Sequence, residues 1–102
     1  MSMEGKSQRD SESSEVEWEV WVENRLGMHA RPASQIMALA NQFNATIILE
    51  KDGFQANAQE LLSLLSLDSP QGTRLVIKAR GPEAWEAAQA VAGLFAHKFG
   101  ET

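Results

Sequence analysis

The sequence predicts an α+β fold in which four strands form one sheet, wet on one face and covered by helices on the other. Three observations predict it. Two segments, Glu15–Glu23 and Thr73–Arg80, alternate in polarity with a period of two. Other segments repeat apolar residues at three- and four-residue spacing, as amphipathic helices do. Gly, Pro, Asp and Asn gather between these segments. In order, the elements read βαββαβα.

Met1 to Ser14 is rich in Ser and charge and has no apolar period, so it reads as a disordered tail ahead of a domain over 15–102. From Glu15 to Glu23, Val16, Trp18, Val20 and Val22 point one way, and the glutamates and Trp21 the other. That is a half-buried strand. Asn24 to Met28 is a loop. Helix one follows over Ala30 to Gln42, with Ala33, Ile36, Met37, Ala40 and Phe43 on its apolar side.

Ala45 to Glu50 is a second strand, and Asp52-Gly53 turns the chain into a short third one, Phe54 to Ala56. Helix two is expected over Ala58 to Ser66, with Asn57 and Glu60 spaced as a capping box. Asp68 to Gly72 is a turn, and Thr73 to Arg80 is the fourth strand, with Leu75, Ile77 and Ala79 on one face. Gly81-Pro82-Glu83 opens helix three, Pro82 taking the first position and Glu83 favoured by the dipole. That helix is expected to run to about Lys98, with Ala84, Ala88, Val91, Ala92, Phe95 and Phe99 on its apolar side and Gly100 as cap. His97 in its last turn is explained by the dipole alone.

The chemistry gathers at Gly27-Met28-His29-Ala30-Arg31-Pro32-Ala33. His29 is the one side chain here that is a neutral nucleophile near pH 7 and a cation slightly below it. Pro32 suits the first turn of a helix, which places His29 at or beside the N-cap, where unpaired amides point outward. Arg31 in that first turn stands against the helix dipole, a placement that suggests an anion to be held. The backbone N–H groups of Ala30 and Arg31 and the guanidinium of Arg31 thus make an anion site with a nucleophile inside it. A lone histidine at a helix start is more often a plain cap; the surrounding residues argue for the site.

Composition limits the rest. The chain has 102 residues, one domain by length, with a formal net charge of −5. That charge argues against a general binder of nucleic acid or anionic membrane. There is no cysteine, so neither disulfides nor a thiolate metal site can form. No apolar run approaches the roughly 18 residues of a membrane span, and no signal peptide is legible. A cytoplasmic protein is expected.

The stretch Asn24-Arg25-Leu26-Gly27-Met28-His29-Ala30-Arg31-Pro32-Ala33 resembles the active-site motif of HPr, the histidine phosphocarrier family of the bacterial phosphotransferase system. Leu64-Leu65-Ser66-Leu67-Asp68-Ser69 and Gly81-Pro82-Glu83 are more similar to the nitrogen-branch paralogue, NPr. The resemblance runs from about Val16 to the C-terminus. It implies an HPr-like open-faced β-sandwich with strand order 1-4-2-3. It also implies that His29 takes a phosphoryl group on Nδ1 from enzyme I and passes it to an enzyme IIA, with Arg31 steadying the phosphate. No cofactor or metal is implied, and a monomer is expected.

A carrier needs a docking face. Leu61, Leu62, Leu64 and Leu65 are more leucine than one buried stripe of a short helix uses, so some of it is expected outside. The alternative is that all four complete the core, and Leu64 and Leu65 are the better core candidates. The resemblance puts the enzyme I contact on the first two helices, with Met28, Leu61 and Leu62 as candidates. Where serine-kinase-controlled relatives carry a serine at the head of helix two, this chain has Glu60. It is read as a cap or as a fixed mimic of phosphoserine. The competing function is a non-catalytic regulatory binding module on the same fold. An RNA-binding α+β sheet is disfavoured by the acidic charge and the lack of aromatic-basic runs.

Overall fold

The computed structural model describes residues 15–101; the expected tail, Met1 to Ser14, lies outside the described residues. The elements are β1 (Glu15–Trp21), α1 (Ala30–Ala40), β2 (Thr46–Lys51), β3 (Phe54–Asn57), α2 (Leu61–Leu65), β4 (Arg74–Arg80) and α3 (Ala84–Ala96). A 3-10 turn, Lys98–Gly100, follows α3. The four strands form one antiparallel sheet in the order β1-β4-β2-β3, the 1-4-2-3 order that the resemblance implies.

Register explains why one face is dry. Val20 pairs with Leu75, Trp18 with Ile77, Leu49 with Ile77 and Ile47 with Ala79, so the apolar phases of three strands coincide. Against that face lie Ala33, Ile36 and Ala40 of α1, Leu64 of α2, and Ala84, Ala87, Ala88, Val91 and Phe95 of α3, all buried. Each fully buried Ile or Leu contributes roughly 1.5–3 kcal/mol relative to exposure. Trp18 and Trp85 stack tilted at 5.2 Å between β1 and α3.

The wet face carries charge pairs: Arg74 with Glu19, Lys78 with Glu50 at 2.7 Å, and Arg80 with Glu15 at 3.5 Å. The Lys78 hydrogen bond, joined by one from Gln55, holds Glu50 below its ordinary 4.5. The same bond to Glu50 raises Lys78 above 10.5. Stability from Glu50 is therefore present above 4.5 and lost as pH falls through its lowered value. That from Lys78 is present below 10.5 and lost as pH rises through its raised value.

Several local expectations are corrected. Helix two is shorter than 58–66, because Ala58 donates its amide to Ile47 O at 2.9 Å and so stays with the sheet. The capping box is absent. Asn57 Oδ1 accepts from Gln59 N, and Glu60, though at the N-cap, makes no side-chain cap bond. Pro82 precedes the helix instead of opening it: Glu83 is the N-cap of α3, and its carboxylate accepts from Asn44 N at 2.7 Å. That bond ties the α1–β2 loop to α3. Finally, α3 stops at Ala96 and not at Lys98. The chain reverses at Lys98 and Phe99, both left-handed with φ of 53° and 56°, ahead of the glycine expected to cap it. Phe99 is buried all the same, edge-on to Phe95 at 4.9 Å.

Candidate functional site

The site begins where β1 ends. Val22 continues the pairing through Thr73 O, and the chain then turns over Asn24 to Gly27. Gly27 N donates to Asn24 O at 3.1 Å, and Asn24 Nδ2 donates to Gly27 O at 2.8 Å. Met28 N donates to Ser69 O at 2.8 Å, which seats this turn on the 68–72 turn. Gly27 has φ of +72°, and a Cβ there would lie 2.8 Å from Ser69 O and 2.9 Å from Pro70 Cα. Only glycine fits. Gly27→Ala is expected to cost roughly 2–4 kcal/mol in chemical denaturation, from backbone strain plus the clash.

That turn delivers His29 to the N-cap of α1, with extended backbone and no side-chain cap bond, so its ring is not engaged by the helix's own amides. Its carbonyl accepts from Ala33 N at 3.1 Å. Pro32 has no N–H to offer. The first-turn amides left without an intrahelical partner are those of Ala30 and Arg31. The first turn holds no acidic residue to occupy them.

A carboxylate closes the site from the far end of the chain. Glu101 Oε2 accepts from His29 Nε2 at 3.1 Å and from Arg31 Nη1 at 2.9 Å. Its Oε1 accepts from Asn24 Nδ2 at 3.0 Å. The reversal at Lys98 and Phe99 brings it there: buried Phe99 anchors the segment, Gln35 Nε2 donates to Phe99 O, and Glu101 N donates to Lys98 O at 2.8 Å. The Glu101 side chain is 12% exposed and that of Arg31 57%. Burial pushes the Glu101 carboxyl up. The hydrogen bonds from Asn24 and Arg31, with the charge and bond of His29, outweigh it and hold the group below 4.5. An ionised carboxylate only accepts, so in the neutral form of the ring the proton of His29 sits on Nε2 and Nδ1 carries the lone pair.

His29, Arg31 and Glu101 line an open cavity of about 390 Å³ with Arg25 and Leu26. Leu26 is 74% exposed. Of the leucines on α2, Leu64 is buried, Leu61 and Leu65 are half-buried and Leu62 is 80% exposed; Met28 is half-buried. Thus only part of the leucine excess goes into the core. His97, exposed at the end of α3, is apart from this cluster. Among the described residues no group of three or more His, Cys, Asp or Glu has the arrangement of a metal site.

Glu60 is exposed and makes no cap bond, so within the helix its charge has only the weak, solvent-screened dipole to meet. Glu60→Gln is therefore expected to leave stability within about 0.5 kcal/mol, as surface changes do. Denaturant titration checks this. The phosphoserine-mimic reading adds tighter partner binding in the variant at low salt, where exposed charges are least screened.

Glu101 and Asn24 had no place in the sequence-level site. Glu101 lies 72 positions from His29, and no spacing rule links them. The Asn-x-x-Gly run at 24–27 is a turn signal, which in hindsight marks Asn24 as a backbone holder.

Comparison with known proteins agrees with this geometry. The family profile described as "PTS HPr component phosphorylation site" matches residues 16–97. Phosphocarrier protein NPr of Proteus mirabilis is 42% identical over 80% of this chain and 92% of its own. The NPr of Escherichia coli strain K12 is 41% identical over 84% and 97%. The crystal structure of an HPr from Thermoanaerobacter tengcongensis superposes with a TM-score of 0.82 at 34% identity, covering 85% of this chain and 98% of that one. With its motif, strand order and helix-start histidine all in place, the chain belongs to the HPr family of phosphocarriers.

Proposed function

We propose that the chain carries a phosphoryl group on Nδ1 of His29, received from enzyme I and handed to an enzyme IIA of the nitrogen branch. The observation that carries this reading is the Glu101 carboxylate on Nε2, which leaves Nδ1 as the nucleophilic nitrogen of a ring that lines an open cavity. In the transfer the Nδ1 lone pair forms the N–P bond. The bond from phosphorus to the donor breaks, its electron pair goes to the donor, and the ring proton stays on Nε2 against Glu101. The amides of Ala30 and Arg31 and the Arg31 guanidinium receive the equatorial oxygens, where positioning and charge do most of the work. Glu101 is already taken up by Asn24, Arg31 and His29, so it is a poor base for water, and the N–P bond is left to the next acceptor. The partners dock over Met28, Leu61 and Leu62, and Leu26, exposed on the cavity that His29 lines, offers them a further apolar contact. An acidic chain without cysteine suits the cytoplasm, where this exchange is placed.

Phosphoenolpyruvate and purified enzyme I should add about 80 Da to the full chain, one phosphoryl group. Adding nitrogen-branch enzyme IIA should then discharge it faster than adding a sugar-branch enzyme IIA. No mass gain would remove the carrier reading; faster discharge by the sugar-branch acceptor would remove the branch assignment.

A further inference from the structure

Asn24 takes no part in the chemistry above, yet its side chain is fully buried beside it. Its Oδ1 is buried too and meets no partner among the described residues. An unsatisfied buried oxygen is a cost that an apolar residue of similar shape would avoid. What such a residue would lack is the amide hydrogens. One is given to Gly27 O at 2.8 Å, the other to Glu101 Oε1 at 3.0 Å. One side chain therefore fixes the loop before His29 and the carboxylate that faces its ring.

We propose that Asn24 is a positioning residue for phosphoryl transfer: by holding Oε1 of Glu101 it aims Oε2 at His29 Nε2, keeps the ring proton there and keeps Nδ1 bare for phosphorus. The other side chain that could orient that carboxylate, Arg31, is more than half exposed on a long flexible stem and orients it poorly by itself. Without Asn24 the carboxylate follows Arg31 outward, and the ring is free to exchange tautomers. The logic is that of any imidazole whose reactive nitrogen is chosen by the hydrogen bond at the other one. The inference rests on His29 as the acceptor, but the tautomer itself can be read without any phosphoryl donor.

The test uses the 15N-histidine-labelled full chain at a pH where the His29 ring is neutral, with ring nitrogen shifts reporting the tautomer. The unchanged protein should be strongly Nε2–H. Asn24→Ser keeps a turn-forming hydroxyl but is too short to reach Glu101; Glu101→Ala removes the carboxylate. Both should move the ratio toward that of free histidine, and both should slow single-turnover phosphoryl transfer on the order of tenfold. The double variant should be no slower than Glu101→Ala alone, because the two act in series. Asn24→Asp keeps the size, lacks the N–H and repels Glu101, so the same shift is expected if the serine variant folds poorly. An unchanged tautomer in a folded Asn24 variant or in Glu101→Ala, or slowing that multiplies in the double variant, overturns the proposal. If His29→Ala still gains the phosphoryl mass, His29 is not the acceptor, while the tautomer result still stands or falls by itself.

Discussion

Replacing His29 by alanine is expected to abolish phosphoryl acceptance while leaving the fold intact, with a melting temperature within about 3 °C of the unchanged protein. The loss is total because the other side-chain nitrogens named at this site, guanidinium and amide, offer no lone pair to phosphorus. The fold survives because His29 serves α1 through its backbone: the carbonyl that accepts Ala33 N–H remains, and no side-chain cap bond is lost. Glu101 keeps Asn24 and Arg31 when the ring is gone. Intact mass under donor conditions, read beside a thermal melt, checks both halves. A gain of about 80 Da on the folded variant would place the acceptor elsewhere. His97→Ala is the control and should accept fully, since that residue sits exposed at the end of α3.

The sheet was legible because its signal is local and repeated. The alternation in Glu15–Glu23 and in Thr73–Arg80 is enough to choose the buried face, and the register sets Val20 on Leu75 and Trp18 on Ile77 accordingly. Pairing order was not legible from periodicity; the resemblance supplied it. Helix two was overextended because Ala58 satisfies a helical apolar pattern and a strand pattern equally, and the amide bond to Ile47 O decides for the sheet. At the C-terminus, the spacing of Phe95 and Phe99 fits one helical stripe, yet Phe99 reaches the core from a left-handed turn. The helix start that presents His29 follows from Pro32 and the apolar period behind it. The carboxylate opposite does not, because Glu101 arrives only through that tertiary reversal.

Arg31→Ala is expected to slow single-turnover transfer by about 10²–10³ while changing enzyme I affinity less than threefold, the usual loss when one stabilising donor is removed from developing charge. Its position explains why. At the second residue of α1 a guanidinium opposes the helix dipole, and the first turn has no acidic residue to offset it. In the unphosphorylated chain the offset comes from Glu101, 2.9 Å away. A phosphoryl group brings more negative charge than a carboxylate and three acceptor oxygens, so it competes for the same fork when it arrives. On the proposed chemistry the exposed guanidinium would pivot to it and give up only its exposed bond to Glu101. Arg31→Lys keeps a point charge but not the planar fork, and should recover only part of the rate. Glu101 retains Asn24 and His29 in both variants, so the ring tautomer should stay as it is. That separates charge stabilisation by Arg31 from ring positioning by Asn24. A single-turnover rate unchanged in Arg31→Ala, with enzyme I binding lost instead, would make Arg31 a docking residue and leave the two first-turn amides of α1 to hold the phosphate.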